Sequence, residues 1–191
     1  MSAVDEIRAA RLVAVLRRAD DVDASVSRLA DAGLRVVEIT LDSDDALAAI
    51  ERARGRGDLT VLAGTVREPE QVDLAVSAGA EGVVGPTVSL PVLERAAALG
   101  VPAIPGALTP TEIETAWNAG AALVKLFPAR LGGPRYVRDV LAPLADVPLL
   151  VTGGVDATNA REYLDAGAVA VGVGSGLGND TELRRLVDAV V

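Results

Sequence analysis

Five glycines close one amphipathic stretch after another along this chain, and their spacing restricts the fold more than any other feature. Gly33, Gly79, Gly100, Gly120 and Gly167 each follow Ala or Leu at the end of an alanine- and leucine-rich segment, and each precedes a short aliphatic run. Their separations of 46, 21, 20 and 47 residues are one or two units of about 23. Glycine suits that point because a helix C-terminus commonly ends in a left-handed residue. The aliphatic runs read as eight strands, near Leu12–Leu16, Arg35–Thr40, Thr60–Ala63, Gly82–Val84, Val101–Ile104, Leu123–Leu126, Pro148–Val151 and Ala168–Val173. Helix starts are marked as well. Thr109-Pro110-Thr111-Glu112 sets an N-cap threonine, a first-turn proline and a reciprocal glutamate in order, and Ser89 with Pro91 opens another helix less completely. Regular βα units repeated eight times predict a closed (β/α)8 TIM barrel, a single domain over residues 1–191. An open doubly wound sheet is the alternative, but nothing in it calls for eight repeats.

Charge and residue usage exclude several functions. A formal net charge of -9, from 18 basic and 27 acidic residues, argues against nucleic acid and anionic membrane as partners. A small anionic ligand stays possible, because backbone dipoles act locally. With no His and no Cys, thiolate chemistry and the usual zinc ligand sets are excluded, and a general base has to be carboxylate, lysine, tyrosine or water. The apolar run Leu12–Leu16 is too short for a signal-peptide core and later runs are broken by glycine, so a soluble cytoplasmic protein is expected. Asp42, Asp44 and Asp45 precede a helix and read as caps that favour its dipole rather than as a metal site. Trp117, Tyr136 and Tyr163 are expected on helices as packing or interface residues.

Lys125 is the exception among the cations: every other basic residue is arginine. It interrupts Leu123-Val124-Lys125-Leu126-Phe127-Pro128, a strand that otherwise reads as core, where an amine is costly. A snorkelling or salt-bridged lysine is the ordinary alternative. Arginine would serve that purpose equally well, whereas only a primary amine forms an imine, and desolvation favours the neutral, nucleophilic form of an amine. Glu38, in Val36-Val37-Glu38-Ile39-Thr40, is the second polar intruder. It shares a strand face with Val36 and Thr40 and needs a partner if it points into a barrel, unless it is a strand-end glutamate paired with an arginine. Thr65 and Pro86 follow the third and fourth strands, and Thr152-Gly153-Gly154 and Gly174-Ser175 follow the seventh and eighth. In a barrel of this type the carboxyl ends of the strands carry the active site, and the last two loops often hold phosphate on backbone N–H groups.

Taken together, Val36-Val37-Glu38-Ile39-Thr40, Ala63-Gly64-Thr65-Val66, Ile104-Pro105-Gly106, Val124-Lys125-Leu126-Phe127-Pro128-Ala129, Val151-Thr152-Gly153-Gly154-Val155 and Val171-Gly172-Val173-Gly174-Ser175 resemble the 2-keto-3-deoxy-6-phosphogluconate (KDPG) and 4-hydroxy-2-oxoglutarate (KHG) aldolases nearly end to end. The resemblance implies a class I pyruvate aldolase with Lys125 as imine former and Glu38 as general acid/base. It implies Thr65 on the substrate carboxylate, and Gly154 and Ser175 at the far, often phosphorylated, end. Pro86, Phe127, Thr152, Gly153 and Gly174 complete the substrate-binding set. It further implies a cytoplasmic homotrimer needing no metal or organic cofactor. Many members carry an arginine four residues after the catalytic glutamate, where this chain has Asp42; others carry one at the end of the first strand, and Arg17 matches that position. A phosphosugar isomerase, epimerase or synthase on the same fold, or a member that binds sugar acids without turnover, are the rival readings.

Overall fold

The computed structural model describes residues 2–18 and 21–190; positions 1, 19, 20 and 191 of the expected 1–191 domain lie outside the described residues. The elements run α1 (Ala3–Ala10), β1 (Leu12–Leu16), α2 (Val22–Asp31), β2 (Val36–Thr40), α3 (Ala46–Gly55), β3 (Thr60–Gly64), α4 (Pro69–Ser77) and β4 (Val83–Val84). They continue with α5 (Leu90–Ala98), β5 (Ala103–Ile104), β6 (Gly106–Ala107), α6 (Pro110–Asn118), β7 (Val124–Leu126), α7 (Gly133–Leu141), β8 (Leu149–Thr152), α8 (Ala160–Asp165), β9 (Ala170–Val173) and α9 (Asp180–Val190). Short 3₁₀ turns at Ala129–Leu131 and Ser175–Leu177 follow β7 and β9.

All strand pairs are parallel, in the order β5-β4-β3-β2-β1-β9-β8-β7-β6. The two ends of that order are halves of one chain segment, so the sheet closes on itself. The expected fifth strand at 101–104 needs correction here: it runs from Ala103 to Ala107 and breaks at Pro105, which has no N–H to donate. Its carbonyls still alternate as a barrel strand requires. Pro102 and Ile104 accept from Val83 and Gly85, while Ala103, Pro105 and Ala107 accept from Ala122, Lys125 and Phe127, at 2.9–3.0 Å. A (β/α)8 barrel with one interrupted strand is therefore the architecture, and the other strand ends agree with expectation to within two residues.

The glycine repeat does what its spacing implies. All five glycines take positive φ, from +70° to +110°, and the residue after each donates to the carbonyl five residues back, at 3.0–3.2 Å. That bond turns the chain from helix into the next strand.

Every barrel strand contributes one buried apolar residue to a common inner cluster: Val13, Val36, Leu62, Val84, Ile104, Leu123, Leu150 and Ala170. Ala3 and Ile7 of α1 seal this plug from the amino-terminal end of the barrel. The alternation of side chains along a strand then fixes what stands two residues further on. That next layer comprises Val15, Glu38, Gly64, Pro86, Gly106, Lys125, Thr152 and Gly172. Three of the eight are glycine, so above a packed floor the barrel is hollow towards the carboxyl ends of its strands. Among the described residues no helix is long and apolar enough to cross a membrane.

Candidate active site

Into that hollow project Lys125 from β7 and Glu38 from β2. Both are buried, 4% and 1% exposed, and Nζ lies 3.5 Å from Oε1. Each is placed by its strand's register, Glu38 beside Val15 and Leu62, Lys125 beside Gly106 and Leu150. The glycines supply the room. A methyl at Gly64 would overlap the Glu38 carboxylate, 2.7 Å from its Cγ, and one at Gly172 would overlap the Thr152 hydroxyl. The second carboxylate oxygen of Glu38 and the Thr152 hydroxyl are buried without a hydrogen-bond partner among the described residues. Leaving such atoms unpaired costs about 1–3 kcal/mol each, a cost that a hydroxylated ligand in the hollow would offset. Lys125 Nζ also stands 5.6 Å from the Phe127 ring centroid, so the ring forms part of the amine's surroundings.

Above the pair opens a cleft of about 540 Å³, lined among others by Val15, Arg17, Lys125, Phe127, Arg130, Thr152, Gly153, Gly154, Gly174 and Ser175. At one side the Arg17 guanidinium donates to the Thr65 hydroxyl at 3.3 Å. Thr65 is held at φ +59°, a conformation a β-branched residue rarely adopts. The cleft is also lined by the Gly153-Gly154 turn, with both residues at positive φ, and by Gly174 and Ser175, where the second 3₁₀ turn begins. Pro86 is not among the residues that line the cleft; its carbonyl stands against Gly106. Arg130 on the cleft wall had no distinguishing signal in the sequence.

A wider surface depression of about 730 Å³ is lined by Arg18, Asp42, Ser43, Asp44, Asp45 and Arg52, with Asp21, Val22 and Asp23. Several of its charges neutralise one another, Arg18 with Asp42 at 3.6 Å and Arg52 with Asp45 at 2.8 Å and Asp23 at 2.9 Å. It holds no lysine, and an imine site cannot lie there. The expected capping role of the aspartates needs correction at Asp45, the residue at the N-cap of α3: it makes no side-chain cap bond, because its carboxylate pairs with Arg52 instead. Burial works to raise the Asp42 carboxyl, but the Thr40 hydroxyl and the Arg17 and Arg18 charges outweigh it and hold the group below its ordinary value. Asp42 is thus an anion at the back of the Arg17 corner.

A single amine and a single carboxylate, both desolvated and in contact beneath a cleft with cationic and N–H-rich ends, form a constellation suited to imine chemistry on an anionic keto acid. A model of KDPG and KHG aldolases matches residues 4–188. The chain belongs to the KDPG and KHG aldolase family. This aldolase is 38% identical over 172 residues, 87% of this chain and 83% of the relative, to the 2-dehydro-3-deoxy-6-phosphogalactonate aldolase of Escherichia coli strain K12. It is 38% identical over 165 residues, 84% and 78% of the two chains, to the 2-dehydro-3-deoxy-phosphogluconate aldolase of Haemophilus influenzae. Among solved structures, the KDPG aldolase of Legionella pneumophila, with pyruvate captured as a covalent carbinolamine, superimposes with a TM-score of 0.83 at 25% identity, covering 100% of this aldolase and 97% of that chain.

Proposed function

We propose that this chain is a class I aldolase that cleaves a 2-keto-3-deoxy sugar acid, phosphorylated at its far end, or 4-hydroxy-2-oxoglutarate, to pyruvate and an aldehyde. The buried Lys125–Glu38 contact at 3.5 Å, at the bottom of a cleft on the carboxyl face of the barrel, carries this reading. The Lys125 amine attacks the C2 ketone, and loss of water from the carbinolamine leaves an iminium that withdraws electrons from C3. Glu38, directly or through a water, takes the C4 hydroxyl proton; the C3–C4 electron pair moves into the enamine and the aldehyde leaves. Protonation at C3 and hydrolysis then release pyruvate and restore the amine. The iminium is the electron sink, so the scheme asks for neither metal nor organic cofactor.

Arg17 and Thr65 hold the substrate carboxylate, a role supported by their contact beside the lysine. Thr152 and Phe127 shape the middle of the site, with the unpaired Thr152 hydroxyl available to a substrate hydroxyl. Gly153, Gly154, Gly174 and Ser175 receive the far end. A cytoplasmic homotrimer belongs to the same reading and is supported by the family resemblance.

Intact-mass spectrometry after pyruvate and sodium borohydride tests the reading, with Lys125→Arg as the control. One reduced pyruvate adduct on the native chain, absent from the variant, is the expected result. A folded native chain without an adduct would sink it.

A further inference from the structure

We propose that Arg130 is a specificity-determining residue: its guanidinium binds the phosphate at the far end of the substrate and so selects phosphorylated over unphosphorylated sugar acids. The proposal rests on the aldolase reading and extends it to a residue outside the site set read from local pattern.

Arg130 sits on the 3₁₀ turn that follows β7, five residues beyond Lys125. Its backbone N–H donates to the Gly153 carbonyl at 2.9 Å, which ties this turn to the loop after β8. Its side chain lines the same cleft as the lysine. The aliphatic stem is seated on Gly154: a methyl added there would stand 2.6 Å from Arg130 Cβ and 3.4 Å from its Cγ and Cδ. The vacancy at Gly154 is therefore a bed for the arginine stem, which positions the guanidinium at the rim without a bond to its head.

The head itself has no protein partner among the described residues, with neither an ion pair within 4.0 Å nor a side-chain hydrogen bond. The two cationic corners of the cleft differ in this respect. Arg17 is already engaged with Thr65, and Asp42 lies behind it, whereas Arg130 is uncompensated on a chain of net charge -9. The cleft is far larger than pyruvate alone requires, at about 540 Å³, and stretches from the lysine to this rim. Against Arg130 lies the Gly153-Gly154 turn, and Ser175 lines the same cleft, a region rich in backbone donors. A guanidinium fork set beside backbone N–H groups matches the several acceptor oxygens of a phosphate monoester better than the two of a carboxylate.

The test is the ratio of kcat/KM for a phosphorylated 2-keto-3-deoxy sugar acid to that for the same acid without phosphate, measured on the full chain, on Arg130→Met and on Arg130→Lys. Arg130→Met is expected to lower this ratio by about 10- to 100-fold, the size of a lost charged hydrogen bond, mainly through KM for the phosphorylated acid. Arg130→Lys should recover part of it. The position is exposed, so a general loss of folding would depress both substrates alike. An unchanged ratio overturns the proposal, as does a native chain that cleaves both acids equally well. An equal loss on 4-hydroxy-2-oxoglutarate, whose far end is a carboxylate, overturns the phosphate assignment. Borohydride trapping of pyruvate by the native chain reports on the aldolase reading separately: trapping with an unchanged ratio removes Arg130 alone, and no trapping removes both.

Discussion

Glu38 on β2 and Lys125 on β7 meet across the barrel interior, Oε1 to Nζ at 3.5 Å, although 87 residues separate them in the chain. A buried ion pair of this kind is a poor source of stability, because desolvating both charges offsets their attraction. Its persistence in a layer where apolar residues would pack well is what function requires.

Glu38→Gln separates the two halves of the proposed chemistry. The amide can still hydrogen-bond but cannot take the C4 hydroxyl proton, so kcat for cleavage should fall by about 10²- to 10⁴-fold, the usual worth of a general base. Borohydride trapping of pyruvate should continue, since imine formation depends on the amine. Turnover at the native rate in a pyruvate-coupled assay would remove Glu38 from the mechanism.

Gly64→Ala tests the space rather than the charge. The added methyl would stand 2.7 Å from Glu38 Cγ, so the carboxylate has to leave its position beside Lys125. Overpacking of this kind costs about 1–3 kcal/mol, and cleavage should fall together with the denaturation midpoint. A variant with native stability and native kcat would mean that the carboxylate position is not critical.

Much of this arrangement was legible in the sequence, and the parts that were not share a cause. The five helix-closing glycines, the parallel strands and the two polar intruders could be read from local pattern, because each depends on residues a few positions apart. Alternation also told which face of β2 carries Glu38. It could not tell which residues of different strands share a layer, since that depends on the stagger between neighbours around a closed sheet. Gly64 and Gly106 therefore fell just beyond expected strands and Gly172 inside one, with no sign that in the barrel they leave room for Glu38, the Pro86 carbonyl and Thr152 in turn. The break at Pro105 was hidden because one segment pairs with β4 on one side and β7 on the other. Arg130 was hidden because its meaning comes from Gly154, 24 positions away.

Thr65 offers a trade between stability and binding. Its φ of +59° costs a β-branched residue about 1–3 kcal/mol, while its hydroxyl accepts from Arg17 at 3.3 Å. Asparagine tolerates this backbone conformation far better. Thr65→Asn should raise the thermal midpoint by a few degrees and lower kcat/KM by about tenfold through the disturbed carboxylate corner. A fall in the thermal midpoint would show that the backbone is not strained there, and an unchanged kcat/KM would remove Thr65 from the carboxylate site.

Just after β6, the Glu112 carboxylate accepts from the Thr109 N–H at 2.8 Å and the Leu108 N–H at 2.9 Å, completing the capping box of α6. Those bonds, with Thr109 first and Leu108 second, hold the carboxyl below its ordinary value of 4.5. A carboxyl depressed in the folded state contributes stability in full above its unfolded value and loses it as pH falls through the folded one. The advantage of the native chain over Glu112→Gln should therefore be present at neutral pH and shrink as pH drops below 4.5. Glu112 is exposed, and solvent screening keeps the effect below about 1 kcal/mol. Urea midpoints of the two proteins, compared from about pH 7 to about pH 3, check the sign. A difference that grows on acidification would mean that the carboxylate is not what ties the amino end of α6 to the closing strand.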